Sequence, residues 1–412
     1  MPARIMIVSF AIPDPGGSPL GISTHILART LQAQGHEVLL VRPVLPQWLK
    51  RLGRRGRTRV PASYELDGVR ILAPRVWMLP IGRQRRRAAT HAARVVRLTH
   101  GPLVRALRPI MDDFQPEGLM VRQVFPLALP VVKLAEKRGL PVVGTEESQD
   151  DLEAFKAGTP STQIFRDMAM RLRCTYAVGP QMVTYLREQL GISNAKFVPN
   201  GVLPPTPESL EKPRPEALAG KKLVLCVSGY YRRKGLELLV EAFGRLRERH
   251  ADAKLVMIGG HGPLPELIDQ LGLKEHVHLY GAVSHEEVRQ WMVWADLFAL
   301  PSWQEAFGLV YGEAMLAGCA TLMTSDCGVA RVVLANRDKL TGQAGGETDL
   351  RGEGGAFVVE PKNLDAVQQA MDLALSDAAL RQVVAERGRR LAEVEFTWQR
   401  FARELVGDLG LA

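Results

Sequence analysis

The sequence predicts an α/β fold made of two Rossmann-like domains, each a doubly wound parallel sheet covered by helices. Three observations predict it. The chain has 412 residues, which is more than one hydrophobic core of ordinary size accommodates. Strand–helix–strand patterns occupy its first half, and the same pattern restarts after a proline-rich tract. Apolar residues make up 46% and charged residues 24% of the chain, as in ordinary globular proteins.

The first domain is predicted over residues 1–200 from repeated strand–helix–strand units. Residues 4–10 form a nearly continuous apolar run, as a strand buried on both faces does. A helix over residues 22–35 follows a glycine-containing loop and ends at Gly35, a usual C-cap residue. The further elements are strands at 36–41, 118–121 and 141–145 and a helix at 126–138. Successive units of this kind build a parallel sheet.

The second domain is predicted over residues 223–385, after a proline-rich linker at 201–222. Its elements are predicted as strands at 223–228, 255–260, 277–280 and 297–300 and a helix at 235–250. The last segment, 386–412, is helical near 397–406 and is expected to pack back on the first domain. Ligands of open α/β sheets bind beyond the carboxyl ends of the strands. A site is therefore expected in a cleft that the two sheets face.

The positive charge is concentrated in a basic insertion at about residues 43–110. Between Arg42 and Arg108 there are 17 Lys and Arg residues against two acids, while the net charge of the whole chain is +9. Apolar residues lie on one face of a helix predicted over 88–110, and arginines lie on the other. Gly101-Pro102 is expected to break or kink this helix.

Two interpretations of this insertion stay open. The Arg-rich residues 48–108, which include Trp48, contact an anionic membrane surface. Alternatively, the helix packs on the first sheet and its charged face is solvated. Nucleic-acid binding is not expected, because aromatic residues for base stacking are not interleaved with the arginines.

The arrangement of the cysteines and the hydropathy of the chain bear on where in the cell the protein is expected. The four cysteines are scattered without a C-x-x-C spacing, which predicts neither a disulfide framework nor a zinc site. No uncharged apolar run of about 18 residues occurs, so a transmembrane helix is not expected. The sequence therefore favours a cytoplasmic protein, with peripheral contact to the inner face of the membrane as an option.

The segment 301–318 carries the clearest chemical signal. Glu305 lies in a loop after an apolar strand, and Glu313 lies in the following helix with seven residues between them. A helix N-terminus suits a phosphate, and carboxylates accept hydrogen bonds from sugar or ribose hydroxyls. One segment can therefore hold both ends of a nucleotide-sugar. The alternative is a surface glutamate in a loop and another on a helix.

Two further loops suit a diphosphate. Ser228–Gly235 contains Gly229 and three consecutive cations, Arg232, Arg233 and Lys234, at the start of a helix. Cations gain little there from the positive end of the helix dipole, so they suit an anionic ligand, or else they form a solvated basic turn. Gly259–Pro263 is a second glycine-rich turn after a strand, which lines a nucleotide pocket or is a plain tight turn.

Glu305 and Glu313, with Pro301-Ser302 before them and Glu313-Ala314-Met315-Leu316-Ala317-Gly318 at the end, resemble the signature of family 4 retaining glycosyltransferases of the GT-B fold. The resemblance implies that Glu305 binds sugar hydroxyls and stabilises charge at the anomeric carbon, and that Lys234 contacts the donor diphosphate. Further donor-binding residues implied in this way are Gly21, Gly229, Arg233, Phe307, Gly308, Leu309 and, for the ribose, Glu313.

The sequence departs from the family pattern at several positions, and three of these departures bear most on the chemistry. Tyr230 stands where the family has an arginine after the loop glycine. Glu147 occupies the position of a histidine near the reacting carbon, and is the candidate for the acceptor side. Val121-Arg122-Gln123 replaces a His-x-His found one strand earlier. His25, one turn into the first helix, is either packed or functional.

The resemblance implies a hexosyltransferase that moves a sugar from a nucleotide-diphospho-sugar to a glycan or lipid-linked acceptor in cell-surface polysaccharide or glycolipid synthesis. No Asp-x-Asp stretch is placed to hold a metal against the diphosphate, so neither a metal nor another cofactor is expected. Two alternatives stay open. One is a nucleotide-sugar epimerase, and the other is a non-catalytic subunit that binds nucleotide-sugar.

Overall fold

The computed structural model describes residues 2–15, 21–45, 60–77, 92–148, 152, 154–155, 158–342 and 346–412. The chain divides into two compact units. Unit 1 comprises Met1–Gly201 and Trp398–Ala412, and unit 2 comprises Val202–Thr397.

Unit 1 is built on an eight-stranded sheet. Its strands are β1 (Arg4–Val8), β2 (Glu37–Val41), β3 (Ser63–Leu66), β4 (Val69–Leu72), β5 (Gly118–Arg122), β6 (Val142–Glu146), β7 (Cys174–Ala177) and β8 (Ala195–Phe197). Their order is β3-β4-β2-β1-β5-β6-β7-β8. Only the β3–β4 hairpin is antiparallel within the described sheet. All residues of β5 and β6 are buried, which explains the apolar residues with which both strands begin; polar residues stand only at their ends, Arg122 in β5 and Thr145 and Glu146 in β6.

The helices of unit 1 connect and cover these strands. They are α1 (Ile22–Ala33), α2 (Ala92–Phe114), α3 (Val124–Glu136), α4 (Pro160–Ala169) and α5 (Pro180–Thr184), followed by a π-helical turn (Tyr185–Gln189). Gly35 has a φ of 91° and ends the first helical segment as expected.

The helix α2 differs from its prediction. It continues from Ala92 to Phe114 through Pro102 and Pro109, so the break that was one of the two expected outcomes at Gly101-Pro102 does not occur. Its apolar side chains are buried on both sides of Pro102, for example Val95, Leu103 and Leu107. This burial is continuous along the helix, so it offsets the one backbone hydrogen bond that a proline removes.

Unit 2 is built on a six-stranded parallel sheet. Its strands are β9 (Lys222–Ser228), β10 (Ala253–Gly259), β11 (Val277–Tyr280), β12 (Leu297–Ala299), β13 (Ala320–Thr324) and β14 (Phe357–Val359), in the order β11-β10-β9-β12-β13-β14. Its helices are α6 (Pro207–Glu211), α7 (Leu236–Leu246), α8 (Leu264–Gln270), α9 (His285–Trp294), α10 (Leu309–Leu316), α11 (Gly328–Thr341), α12 (Leu364–Ser376) and α13 (Ala378–Glu395). The loops after β9 and β12 leave the same edge of the sheet, because these parallel strands are neighbours.

The segment predicted as a linker, 201–222, belongs to unit 2 from Val202 onward. Trp294 donates from its Nε1 to the carbonyl oxygen of Lys212 over 3.1 Å. Gln290 donates from its side-chain amide to the carbonyl oxygen of Ser209 over 3.0 Å. Prolines in this stretch therefore start α6 and a short 3-10 turn (Glu216–Leu218) and do not mark a free connector.

The C-terminal segment divides differently from its prediction over 386–412. Only the C-terminal helix (Trp398–Asp408) and the residues after it belong to unit 1, where Trp398 and Phe401 join the hydrophobic core. Tyr176 of β7 donates its hydroxyl hydrogen to Asp408 over 2.6 Å. The preceding helix α13 stays in unit 2, since it packs against α10 and β13.

Candidate functional site

The centre of the candidate site in unit 2 is an ion pair between Lys234 and Glu305. Lys234 ends a 3-10 turn (Arg232–Lys234) after β9, and Glu305 lies in the loop after β12. The Lys234 Nζ donates a hydrogen bond to Glu305 Oε2. Both side chains are largely buried, with exposed fractions of 16% and 19%. The structure thus brings together the two residues predicted to be catalytic.

The two loops that carry this pair are fixed to each other by backbone contacts. The amide nitrogen of Trp303 donates to the carbonyl oxygen of Arg233 over 2.8 Å. The Ser302 hydroxyl donates to the same carbonyl oxygen over 3.1 Å and lies 3.3 Å from Glu305 Oε2. Gly235 has a φ of 65°, and a Cβ there would lie 2.5 Å from the carbonyl oxygen of Pro301. Only glycine therefore allows this approach.

Gly308 begins α10 directly beside the ion pair. Its φ is 93°, and a Cβ there would lie 2.5 Å from the Tyr311 ring and 3.3 Å from Glu305 Cγ. Tyr311 donates its hydroxyl hydrogen to the carbonyl oxygen of Leu300 over 2.7 Å, which ties the helix to the end of β12. The N-terminal amides of α10 are therefore fixed close to Glu305, and such amides favour an anion.

The residues on either side of Gly308 differ in how accessible their side chains are to a ligand. Leu309 is 39% exposed, whereas Phe307 is 3% exposed and packs against Phe396 with a ring distance of 5.3 Å. The side chain of Phe307 belongs to the core, so only its backbone remains for a ligand. The predicted donor role of Phe307 is limited to that backbone, because the aromatic ring is needed to fill the core.

Glu313 lies one turn into α10 and is partly buried. Burial raises the pKa of its carboxyl group above the ordinary value, while charge interactions with His285 and Arg289 act in the opposite direction. A glutamate in such surroundings is a strong hydrogen-bond acceptor when it is ionised. Its predicted contact with a ribose remains a prediction.

Tyr230, which replaces the family arginine, has a structural role in this loop. Its ring lies against Gly262, where a Cβ would be 2.5 Å from a ring carbon, and its hydroxyl hydrogen-bonds to Glu237. Gly259, with a φ of 123°, completes the same turn. The turn Gly259–Pro263 is therefore shaped by packing against Tyr230.

The Arg233 guanidinium stacks on the Tyr231 ring at 5.3 Å, and the Tyr231 ring lies beside Gly229.

In unit 1 the predicted residues of the first helix are explained by packing. Gly21 caps α1 with a φ of 82°, and a Cβ there would lie 2.1 Å from the carbonyl oxygen of Ala11. His25 is 2% exposed, and its Nε2 lies 3.0 Å from Asp67 Oδ2 at the β3–β4 turn. His25 is thus a packed residue. The predicted contact of the Gly21 amide with a donor phosphate remains a prediction.

The two departures at Arg122 and Glu147 form a contact. Arg122 ends β5 and Glu147 follows β6, which is the neighbouring strand. The Arg122 Nε donates to Glu147 Oε1 over 2.7 Å, and its Nη2 donates to the same oxygen. Thr145 donates its hydroxyl hydrogen to that oxygen over 3.2 Å. Sequence reasoning noted each departure separately, but the adjacency of β5 and β6 was needed to connect them.

Comparisons with known proteins identify the family. The description "Glycosyl transferases group 1" matches residues 209–391, and "Glycosyl transferase 4-like domain" matches residues 20–201. A GDP-mannose-dependent α-(1-6)-phosphatidylinositol monomannoside mannosyltransferase of Mycolicibacterium smegmatis is 30% identical over 216 residues, which are 51% of this chain and 52% of that protein. Its namesake of Mycobacterium tuberculosis is 24% identical over 432 residues, which cover 99% and 98% of the two chains.

The chain spans about half the length of the first curated relatives it matches, and nearly the full length of the Mycobacterium tuberculosis relative. Among solved structures, Anabaena HepE in complex with UDP-glucose has a TM-score of 0.66 at 15% identity, with full coverage of both chains. The predicted fold is thereby confirmed. The chain belongs to the group 1 glycosyltransferases of the GT-B fold.

Proposed function

We propose that this protein is a retaining hexosyltransferase that moves a sugar from a nucleotide-diphospho-sugar to a glycan or lipid-linked acceptor. The observation that carries the proposal is the buried pair of Lys234 and Glu305 at the N-terminus of α10. A cation, a carboxylate and a set of helix amides lie together there, and each matches one part of the donor.

The chemistry follows from these charges. When the glycosidic bond to the donor phosphate breaks, negative charge develops on the diphosphate and positive charge on the anomeric carbon. The Lys234 ammonium has three N–H donors, so it can bind the phosphate while it keeps its contact with Glu305. The Glu305 carboxylate then binds a sugar hydroxyl and stabilises the positive charge. Such preorganised charges are effective because they need no reorganisation during the reaction.

The retained configuration is attributed to same-face displacement. In this scheme the leaving phosphate oxygen accepts the proton of the attacking acceptor hydroxyl, and the new glycosidic bond forms on the face that the diphosphate leaves. No side chain is required as a covalent nucleophile. Lys234, Arg233 and the amides of α10 neutralise the diphosphate, so we propose that transfer does not require a metal ion or another cofactor.

The relatives suggest the substrate classes. Two of them are named as GDP-mannose-dependent enzymes that act on a phosphatidylinositol monomannoside, and the Anabaena structure contains UDP-glucose. We therefore propose a UDP- or GDP-hexose as donor. A lipid-linked or glycan acceptor is the matching proposal for the second substrate, with Glu147 in unit 1 as the residue that binds a sugar hydroxyl there.

A basic surface on α2 supports contact with an anionic membrane. Among the described residues, Arg94, Arg97, Arg105 and Arg108 are exposed and have no ion-pair partner. The apolar face of α2 is buried in unit 1, so it is not available for insertion between lipids. In the described part of the chain, no helix has the length and hydrophobicity that crossing a bilayer requires. The proposed contact is therefore peripheral and electrostatic. The arginines at 83, 85, 86 and 87 lie outside the described residues.

The experiment that tests the proposed function is incubation of the purified protein with UDP-glucose, GDP-mannose and related donors, with and without a lipid-linked acceptor fraction. We expect release of nucleoside diphosphate that rises when the acceptor is added, and NMR of the product should show the anomeric configuration of the donor. Interconversion of donor sugars without acceptor would indicate an epimerase instead. Donor binding without turnover of any donor would indicate a binding subunit.

A further inference from the structure

The contact between Arg122 and Glu147 uses only one oxygen of the carboxylate. The Arg122 guanidinium donates twice to Glu147 Oε1, and the Thr145 hydroxyl donates to the same oxygen. None of these donors reaches Oε2. Arg122 is 2% exposed, whereas the Glu147 side chain is 27% exposed. The Arg122 guanidinium is therefore buried, and a ligand can contact only the Glu147 carboxylate of this pair.

The buried Arg122 guanidinium is paired with Glu147. A covered guanidinium without an anionic partner is strongly unfavourable, and the Glu147 side chain is the partner that Arg122 contacts. A carboxylate accepts hydrogen bonds and donates none. Asn200 Oδ1, 3.4 Å from the Arg122 Nη2, supports the guanidinium from another side. The second carboxylate oxygen is thereby held in one orientation at the carboxyl edge of the sheet of unit 1, where α/β folds bind ligands.

The backbone beside Arg122 is also unusual. Gln123 has a φ of 75°, a left-handed conformation that non-glycine residues rarely adopt. The next amide nitrogen, that of Val124, donates to Glu146 Oε1 over 2.8 Å. Strained backbone of this kind is concentrated at binding sites, where surrounding contacts hold it. The strained residue, Gln123, thus directly follows Arg122, which orients Glu147.

We infer that Arg122 and Glu147 form a specificity pair that selects a neutral sugar. Glu147 Oε2 accepts a hydrogen bond from a sugar hydroxyl, and it repels a sugar that carries a carboxylate or phosphate at that position. Arg122 is the positioning residue, because its two hydrogen bonds orient the carboxylate while its own side chain is buried away from the sugar. This inference rests on the proposed function, which assigns Glu147 to the acceptor sugar. A donor sugar has the same hydroxyl chemistry, so the test includes both substrates.

The test compares neutral sugars with their uronic acids in two arms. The donor arm measures binding of UDP-glucose against UDP-glucuronate, and of GDP-mannose against GDP-mannuronate, by calorimetry. The acceptor arm measures transfer to octyl mannoside against octyl mannuronide. We expect the wild type to prefer the neutral sugar in one arm. Glu147→Gln should reduce that preference by about tenfold or more, because the amide removes the repulsive charge. The responding arm identifies the source of the sugar.

Further variants distinguish an effect on sugar preference from an effect on folding. Arg122→Lys keeps the cation but loses the two-point contact, so a partial loss of preference with a raised KM for the responding substrate is expected. The matched control is Glu136→Gln, which breaks the exposed pair of Glu136 and Arg171 in the same unit, 3.1 Å apart. It should leave the preference unchanged.

Two outcomes would overturn the inference. One is an equal preference of wild type and Glu147→Gln in both arms. The other is a lower melting temperature for both variants of the pair with the preference intact, which indicates a purely structural ion pair. Absence of turnover with every donor would instead contradict the proposed function, and the binding arm would still report on the pair.

Discussion

Lys234 and Glu305 are 71 residues apart in the chain, and their side chains form a largely buried hydrogen-bonded ion pair. The pair exists because β9 and β12 are neighbours in the sheet, so that the loops after them meet. Each charge stabilises the other in surroundings that are poor in water. A donor diphosphate that binds there meets a lysine whose position is already fixed.

The first prediction concerns this pair. Lys234→Ala and Glu305→Ala should each lower kcat for transfer by about 10²–10³-fold, because each removes a charge that acts on the transition state. The double variant should be little slower than either single variant, since the two charges act together. Steady-state kinetics with a neutral donor measures both effects. Lys274→Ala, which breaks an exposed ion pair with Asp269 in the same unit, is the control. Near-wild-type turnover in either site variant would contradict the assignment.

The second prediction concerns the start of α10. Gly308→Ala should weaken donor binding and lower the melting temperature, because the new Cβ would meet the Tyr311 ring at 2.5 Å and press on Glu305. Gly318, at the end of the same helix, is a matched control with a φ of 75° and open space around its Cβ position. Gly318→Ala should show only the backbone cost, about 1–2 kcal/mol, with donor affinity unchanged. Equal effects of both substitutions on donor affinity would remove Gly308 from the site.

The third prediction uses the raised pKa of Glu313. Burial favours the neutral form in the folded protein, so folding stability should fall as the pH rises from below the ordinary glutamate value through the raised pKa. Glu313→Gln should therefore raise the melting temperature at neutral pH, and this gain should vanish in acid, where both states are protonated. Donor affinity should show the opposite trend. In the wild type it should fall as the pH falls through the raised pKa, because a protonated carboxyl is a weaker acceptor for the ribose.

Thermal melting and donor calorimetry across the same pH series check this prediction. Glu237→Gln is not a suitable control, because Glu237 holds Tyr230. Glu266→Gln, in the first turn of α8, provides a change of the same type elsewhere in unit 2. If Glu313→Gln changed the melting temperature by the same amount at every pH, ionisation of the Glu313 carboxyl group would not be the cause of that change.

The elements that were predictable from sequence share one property. Fully buried parallel strands such as β5 and β6 appear as short apolar runs, so their places were predicted to within a few residues. The hairpin of β3 and β4 was not predicted, because its residues alternate between more and less exposed positions within a strongly basic stretch. The continuity of α2 through Pro102 was also missed. It depends on the packing of the neighbouring helix, which a local pattern does not contain.

In the candidate site, too, some features were predictable from local sequence and others depend on the fold. Glu305 and Lys234 were predictable because each stands in a motif with fixed spacing. Their contact depends on strand order, and so do the contact of Arg122 with Glu147 and the position of Ser302. The burial of Phe307 is likewise a property of the core. Motifs therefore predicted which residues matter in unit 2, and the sheet topology determined which of them meet.

The fourth prediction is that transfer does not need a divalent cation. In the proposed mechanism, Lys234, Arg233 and the α10 amides neutralise the diphosphate, a role that a bound metal ion can also perform. Activity should therefore be unchanged after treatment with EDTA and gel filtration, and added Mg²⁺ or Mn²⁺ should not raise kcat. Initial rates before and after chelation provide the measurement. A loss of activity that Mn²⁺ restores would contradict this prediction.

The last prediction concerns the exposed arginines of α2. Arg94 and Arg105 are eleven residues apart, as are Arg97 and Arg108, so two pairs of charges lie on one face about 16 Å apart. Each arginine near an anionic bilayer contributes about 1 kcal/mol of binding free energy. The quadruple change of these residues to Ser should therefore weaken binding to vesicles that contain phosphatidylserine by tenfold or more.

Because the apolar face of α2 is buried, the binding should depend on charge alone. It should be absent with neutral phosphatidylcholine vesicles and should weaken as salt rises from 0.05 to 0.5 M, the range over which screening becomes strong. Vesicle sedimentation measures each quantity. A variant with Ser at four exposed arginines of unit 2 removes the same net charge elsewhere, at Arg245, Arg249, Arg389 and Arg390. Equal losses in both quadruple variants would indicate a general effect of net charge, and unchanged binding in the α2 variant would exclude this helix as the contact.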